Sequence, residues 1–179
     1  MAKEKKQEGK LDKQAMMEVY TKLATPGAPH QMLAGMGGSW DAKTKFWTEP
    51  NKPPTESKGT CEQKMILGGR FLQQEFTGDM MGSPFTGIGV TGYDNHTQKY
   101  VSTWMDSMGT AILVFEGKAS ADGKTITQES RYDDPIKGPV KWRSVTRSMD
   151  SNTWLFEMYE TGKSGKEEKM MEITYTRKG

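Results

Sequence analysis

Two histidines, one cysteine and a set of strand carboxylates are the residues of this 179-residue chain that could do chemistry. His30 follows Ala28-Pro29 at a predicted helix start, and His96 sits between Asn95 and Thr97 at a predicted hairpin tip. A metal site built on histidine needs more ligands than these, and Cys61 supplies the only thiolate, so no metal is expected. A nucleophilic triad would have to recruit one of the same two histidines, and no nucleophile-elbow pattern is present. Gly87-Ile88-Gly89-Val90-Thr91-Gly92 spells the letters of a dinucleotide loop, but that chemistry requires a helix immediately afterwards to meet the pyrophosphate. Tyr93-Asp94-Asn95 starts a turn instead. The glycines therefore read as strand positions that relieve curvature or allow close packing, and no cofactor is expected.

Charged residues of the late strands leave two readings open. Glu129, Arg131, Arg143, Arg147 and Glu157 alternate with apolar neighbours, so they share one face across adjacent strands. On an outer wall they form a ladder of cross-strand ion pairs, each worth less than about 1 kcal/mol. On an inner wall an arginine would await an anionic head group, and Glu129 or Glu157, its pKa raised by burial, could act as acid or base in a cyclase, isomerase or hydrolase. The 14 methionines carry a similar double meaning, either filling irregular core gaps or giving a pocket an adaptable wall.

The elements that must position these groups fall into two stretches. Residues 1–10 are rich in Lys, Glu and Gln and are expected to be a disordered tail. Within 11–37, Asp12 is a fair N-cap for a helix of about three turns with Met16, Val19, Tyr20 and Leu23 on one stripe. A second short helix from His30 to Met36 ends at Gly37-Gly38. Both helices should bury their apolar stripes on an open end of whatever follows. From 38 to 179 the period switches to two. Trp40, Ala42, Thr44 and Phe46 share one face and Asp41, Lys43 and Lys45 the other, and turns such as Asp122-Gly123 recur at short intervals. About ten short strands joined by tight turns predict an antiparallel up-and-down β-barrel, and a barrel of that size encloses a cavity unless helices plug it.

Composition narrows the function classes. Lys and Arg number 25 against 23 Asp and Glu, a net charge of +2, which implies no nucleic-acid partner. The start lacks an apolar signal segment, no run approaches the roughly 20 residues of a membrane span, and one cysteine cannot form an internal disulfide, so a cytoplasmic protein with no membrane partner is expected. Asn95-His96-Thr97 matches a glycosylation sequon but reads better as a hairpin tip.

Gly38-Ser39-Trp40 at the first strand and Arg177 at the end of the last resemble the calycin pattern of lipocalins and fatty-acid-binding proteins. That resemblance implies that Trp40 and Arg177 pack as a cation–π pair closing one barrel end. The blocks Leu67-Gly68-Gly69-Arg70-Phe71-Leu72, Gly92-Tyr93-Asp94, Tyr100-Val101-Ser102-Thr103-Trp104 and Met171-Glu172-Ile173-Thr174-Tyr175-Thr176-Arg177 are similar to a bacterial family of single-domain proteins of unknown function. Neither a disulfide nor a helix pair inserted after the first strand accompanies the calycin features, so the resemblance implies a fold and no activity.

The leading reading is a non-enzymatic binding module holding a small apolar or amphipathic ligand. Its inward candidates are Gln63, Trp104, Phe115, Gln128, Trp142, Phe156 and Met158, because aromatic bodies with a few polar atoms suit such sites. A one-residue register error would invert any of these assignments. Alternatives are the carboxylate enzyme and a filled barrel acting through its surface, as a homodimer joined by the helices.

Overall fold

In a computed structural model that describes residues 12–179, Asp12 caps helix α1 (Lys13–Ala24) by accepting a hydrogen bond from the Gln14 N–H at 3.2 Å. The tail expected over 1–10 lies outside the described residues. Helix α2 (Ala28–Gly35) begins two residues before its predicted start because Pro29 fits a first helical turn, and the His30 Nδ1 accepts from the Gly27 N–H at 3.0 Å. Ten strands follow: β1 (Gly38–Phe46), β2 (Thr55–Ile66), β3 (Phe71–Met80), β4 (Ser83–Asp94) and β5 (Lys99–Asp106), then β6 (Leu113–Ala119), β7 (Thr125–Asp134), β8 (Gly138–Asp150), β9 (Thr153–Thr161) and β10 (Glu167–Arg177).

Each strand pairs antiparallel with the next, and β1 pairs with β10, so the sheet closes into a barrel without an edge. Register at the closure places Trp40 opposite both Arg177 and Cys61. The wall is thinnest between β6 and β7, which pair only from Glu116 to Ala119. One irregularity matters for the interior. The register of β10 shifts between Lys169 and Met171, and the extra residue turns Met170 and Met171 both inward while Lys169 and Glu172 stay outside. The Gly87–Gly92 stretch lies within β4. A Cβ at Gly87 would strike the Trp104 ring and one at Gly92 would come within 2.6 Å of Phe71, so these glycines serve close packing.

The two helices part company. In α2, Leu33 is fully buried against the β2, β3 and β4 ends, and the Tyr100 hydroxyl donates to the Met32 sulfur at 3.4 Å. The stripe of α1 does not pack as expected: Met16, Val19 and Tyr20 are exposed, Leu23 is only half-buried, and α1 has no buried residue. With α2 already filling that end, α1 is held by its last turn. The Arg70 guanidinium donates to the Ala24 carbonyl at 3.0 Å, and the Asn95 amide to those of Leu23 and Thr25 at 2.8 and 2.9 Å. Among the described residues, no helix is long and apolar enough to cross a membrane.

Candidate binding cavity

The inward positions of the strands surround a cavity of about 280 Å³, closed by α2 at one end and open at the other. At the closed end Arg177 lies over the Trp40 ring with its guanidinium carbon 4.1 Å from the ring centre. The same guanidinium donates to the Gly37 and Gly35 carbonyls at 2.8 and 3.0 Å, and the Trp40 indole donates to the Met36 carbonyl at 2.9 Å. These bonds tie the end of the last strand to the helix that covers the floor. Gly38, at a φ of +127°, is where the chain enters the first strand, and a side chain there would collide with Arg177.

All seven inward candidates line this cavity: Gln63, Trp104, Phe115, Gln128, Trp142, Phe156 and Met158. Period-two alternation was enough to find them because each sits in a strand stretch without a bulge. Trp154 and Tyr175 also line it and share the parity of Phe156 and Ile173, so the same signal points to them. Met170 and Met171 are consecutive, which alternation forbids, and only the bulge explains them. With Met80 and Met158 they give the open half of the cavity a flexible apolar wall.

Polar side chains are interspersed through the lining, and some of them pair with one another. Thr91 and Ser102 share a hydrogen bond of 2.9 Å, Ser102 donates to the Gln128 side chain at 2.9 Å, and the Gln128 amide donates to the Tyr100 and Phe115 carbonyls at 3.2 and 3.3 Å. Across the barrel the Gln74 amide donates to the Tyr175 hydroxyl at 3.2 Å. Burial pushes the Cys61 thiol up to about 12, against the opposing pull of the Gln63 and Gln74 amides, and pushes the Tyr175 phenol up as well, so both stay neutral. Among the described residues, two buried side-chain polar atoms have no partner, the Gln63 Oε1 and the Trp154 Nε1. Among the described residues, two ionisable carboxylates border the cavity, Asp79 and Asp106. Asp106 accepts from the Trp104 indole at 2.8 Å and the Met108 N–H at 2.9 Å, and Asp79 from the Gly82 N–H at 2.8 Å.

The carboxylates considered for acid–base work stand on the other side of the wall. Glu129 is exposed and pairs with Lys141 at 2.7 Å. Glu157 is buried, only 6% exposed, yet it lies between the inward Phe156 and Met158 and so points outward. Its cover consists of long neighbouring side chains: Lys169 and Tyr159 donate to it at 2.5 and 3.1 Å, and Arg147 stands 3.6 Å away. Burial alone would raise this carboxyl, but those donors outweigh it and hold Glu157 below the usual carboxylate range. The raised pKa expected for a buried acid is therefore corrected, and neither glutamate reaches the cavity. Among the described residues, no group of three or more His, Cys, Asp or Glu side chains could hold a metal ion.

A family model described as "Protein of unknown function (DUF1579)" matches residues 25–177. No protein of curated function matches the chain. Among solved structures, the barrel is similar to Rv2717c of M. tuberculosis, with a TM-score of 0.62 at 14% identity over 87% of this chain and 100% of the other. It is similar as well to the S-type phycobiliprotein lyase CPES of Guillardia theta, with a TM-score of 0.58 at 11% identity over 86% of this chain and 94% of that one. At such identities the likeness is one of fold.

Proposed function

We propose that the chain, which belongs to the DUF1579 family of proteins of unknown function, is a binding module that takes a small, largely apolar molecule into its barrel. The supporting observation is the cavity of about 280 Å³, which lies at the small end of the roughly 300–1,000 Å³ typical of ligand sites. Its walls combine aromatic, methionine and aliphatic side chains with interspersed Thr, Ser and Gln. Gln63, Trp104, Phe115, Gln128, Trp142, Phe156 and Met158 are the contact residues in this reading, and the Trp40–Arg177 pair keeps the floor shut. A single barrel over 38–179 then carries the site, with α2 as its cover, and the free, buried Cys61 suits a reducing cytoplasm.

Three tryptophans, Trp104, Trp142 and Trp154, line the cavity and act as built-in reporters. Native mass spectrometry of freshly purified protein should show a retained small molecule, and its removal should shift the tryptophan emission. A homogeneous apo mass, together with no saturable change when apolar molecules of matching size are added, would overturn the reading.

A further inference from the structure

Resting on that binding reading, we propose that the cavity selects uncharged amphiphiles bearing a hydrogen-bonding end, such as a medium-chain alcohol, and rejects the corresponding carboxylate anions. Two independent features of the interior point the same way.

The first is the sign of its charge. Among the described residues, no Lys, Arg or His lines the cavity, and the charges that do are the Asp79 and Asp106 carboxylates near the open end. At the same end Lys137 is paired with Glu160 at 2.6 Å, and neither it nor Lys163, beside Gly138, lines the cavity. The arginines of the late strands, which could have met an anion, lie outside: Arg143 holds Glu167 at 2.7 Å and Arg147 faces Glu157. An anion entering here would pass two carboxylates and lose its water shell without gaining a cation, and an unpaired buried charge costs far more than a hydrogen bond returns.

The second is the pair of orphaned atoms. Gln63 and Trp154 are each 6% exposed, and both line the cavity. The Gln63 Oε1 lacks a donor and the Trp154 Nε1 lacks an acceptor. Buried polar atoms are almost always paired in native proteins, so two unpaired ones on side chains that line one cavity mark where the occupant's polar atoms belong. A carboxylate can only accept. A hydroxyl both donates and accepts, and so can answer either atom.

Titrating the protein with 1-decanol, decanoate and the neutral dye Nile red, followed by tryptophan emission near pH 8, tests this. The alcohol should bind at least about tenfold more tightly than decanoate, and Trp154→Phe should weaken the alcohol by about 3- to 10-fold, the worth of one neutral hydrogen bond. Asp106→Asn should narrow the gap by improving decanoate. Decanoate binding as tightly as the alcohol, or an alcohol affinity indifferent to Trp154→Phe, would overturn the selectivity while leaving the binding module standing. Failure of all three probes to bind would remove the binding module itself, and the selectivity with it.

Discussion

The two faces of β8, β9 and β10 are built from alternate residues of the same strands, yet they solve opposite problems. Outward, Arg143 grips Glu167 through two bonds of 2.7 Å, and Glu157 sits under Lys169, Tyr159 and Arg147, with Lys169 reaching on to Glu172 at 3.0 Å. Inward, Trp142, Ser144, Phe156, Met158 and Ile173 surround open space. Each of these outer charges has an opposite within reach, whereas among the described residues no charged side chain of the three strands lines the cavity. An outer wall held in register by its own pairs leaves the interior free to keep a void, because the barrel is closed by its ladder of backbone bonds rather than by a filled centre.

Trp40 gives the largest expected effect, since it is the inner-face residue on which the closed end rests. It is fully buried, stacks under Arg177 and donates to the Met36 carbonyl. Trp40→Ala should lower unfolding stability by about 3–5 kcal/mol in urea titrations, the usual range for emptying a buried tryptophan site. A loss under about 1 kcal/mol would mean that the floor contributes no more than the surface does, and the contrast between the faces would collapse.

Glu157 sharpens the comparison from the outside, as the one outer-face charge that is truly covered. Its carboxyl titrates lower in the folded protein than in the unfolded chain. The stability it supplies is therefore present above the unfolded carboxylate pKa of about 4.3 and disappears as pH falls through the lower folded value. Glu157→Gln should cost about 1–3 kcal/mol at neutral pH, where its charged hydrogen bonds are lost, and flatten the decline of stability below about pH 5. Glu167 and Glu172 are held low as well, through Arg143 and Lys169, so some slope should remain. An unchanged acid limb in the variant would show that Glu157 is structurally idle.

How far the sequence reveals these two faces depends on whether a residue's environment is local. Alternation placed Gln128, Trp142, Phe156 and Met158 correctly because a strand flips its side chains with a fixed period. It equally put Glu129, Arg143 and Glu157 together on one face, though not which face. It failed where a neighbouring strand decides. The bulge that turns Met170 inward is a register shift against β9, invisible in β10 alone. The solvent-facing stripe of α1 depends on how much of the barrel end α2 already covers, which no helical period reports. The unpaired Gln63 and Trp154 atoms are products of three-dimensional packing, and nothing in their own segments announces them.

The smallest effect is expected from the exposed part of the outer ladder. Lys141 and Glu129 meet at 2.7 Å, but their side chains are 43% and 52% exposed. Water and salt screen such a pair, and holding two long side chains in place costs entropy, so Lys141→Ala should change stability by no more than about 0.5 kcal/mol. Repeating the urea titration in about 1 M salt, where the screening length falls to about 3 Å, should leave wild type and variant equally separated. A change above about 1 kcal/mol that salt abolishes would mean that even the exposed pairs hold the wall together. The outer face would then be a continuous electrostatic belt, not a covered Glu157 cluster flanked by near-neutral contacts, and the division of labour between the two faces would rest on charge along the whole length of each strand.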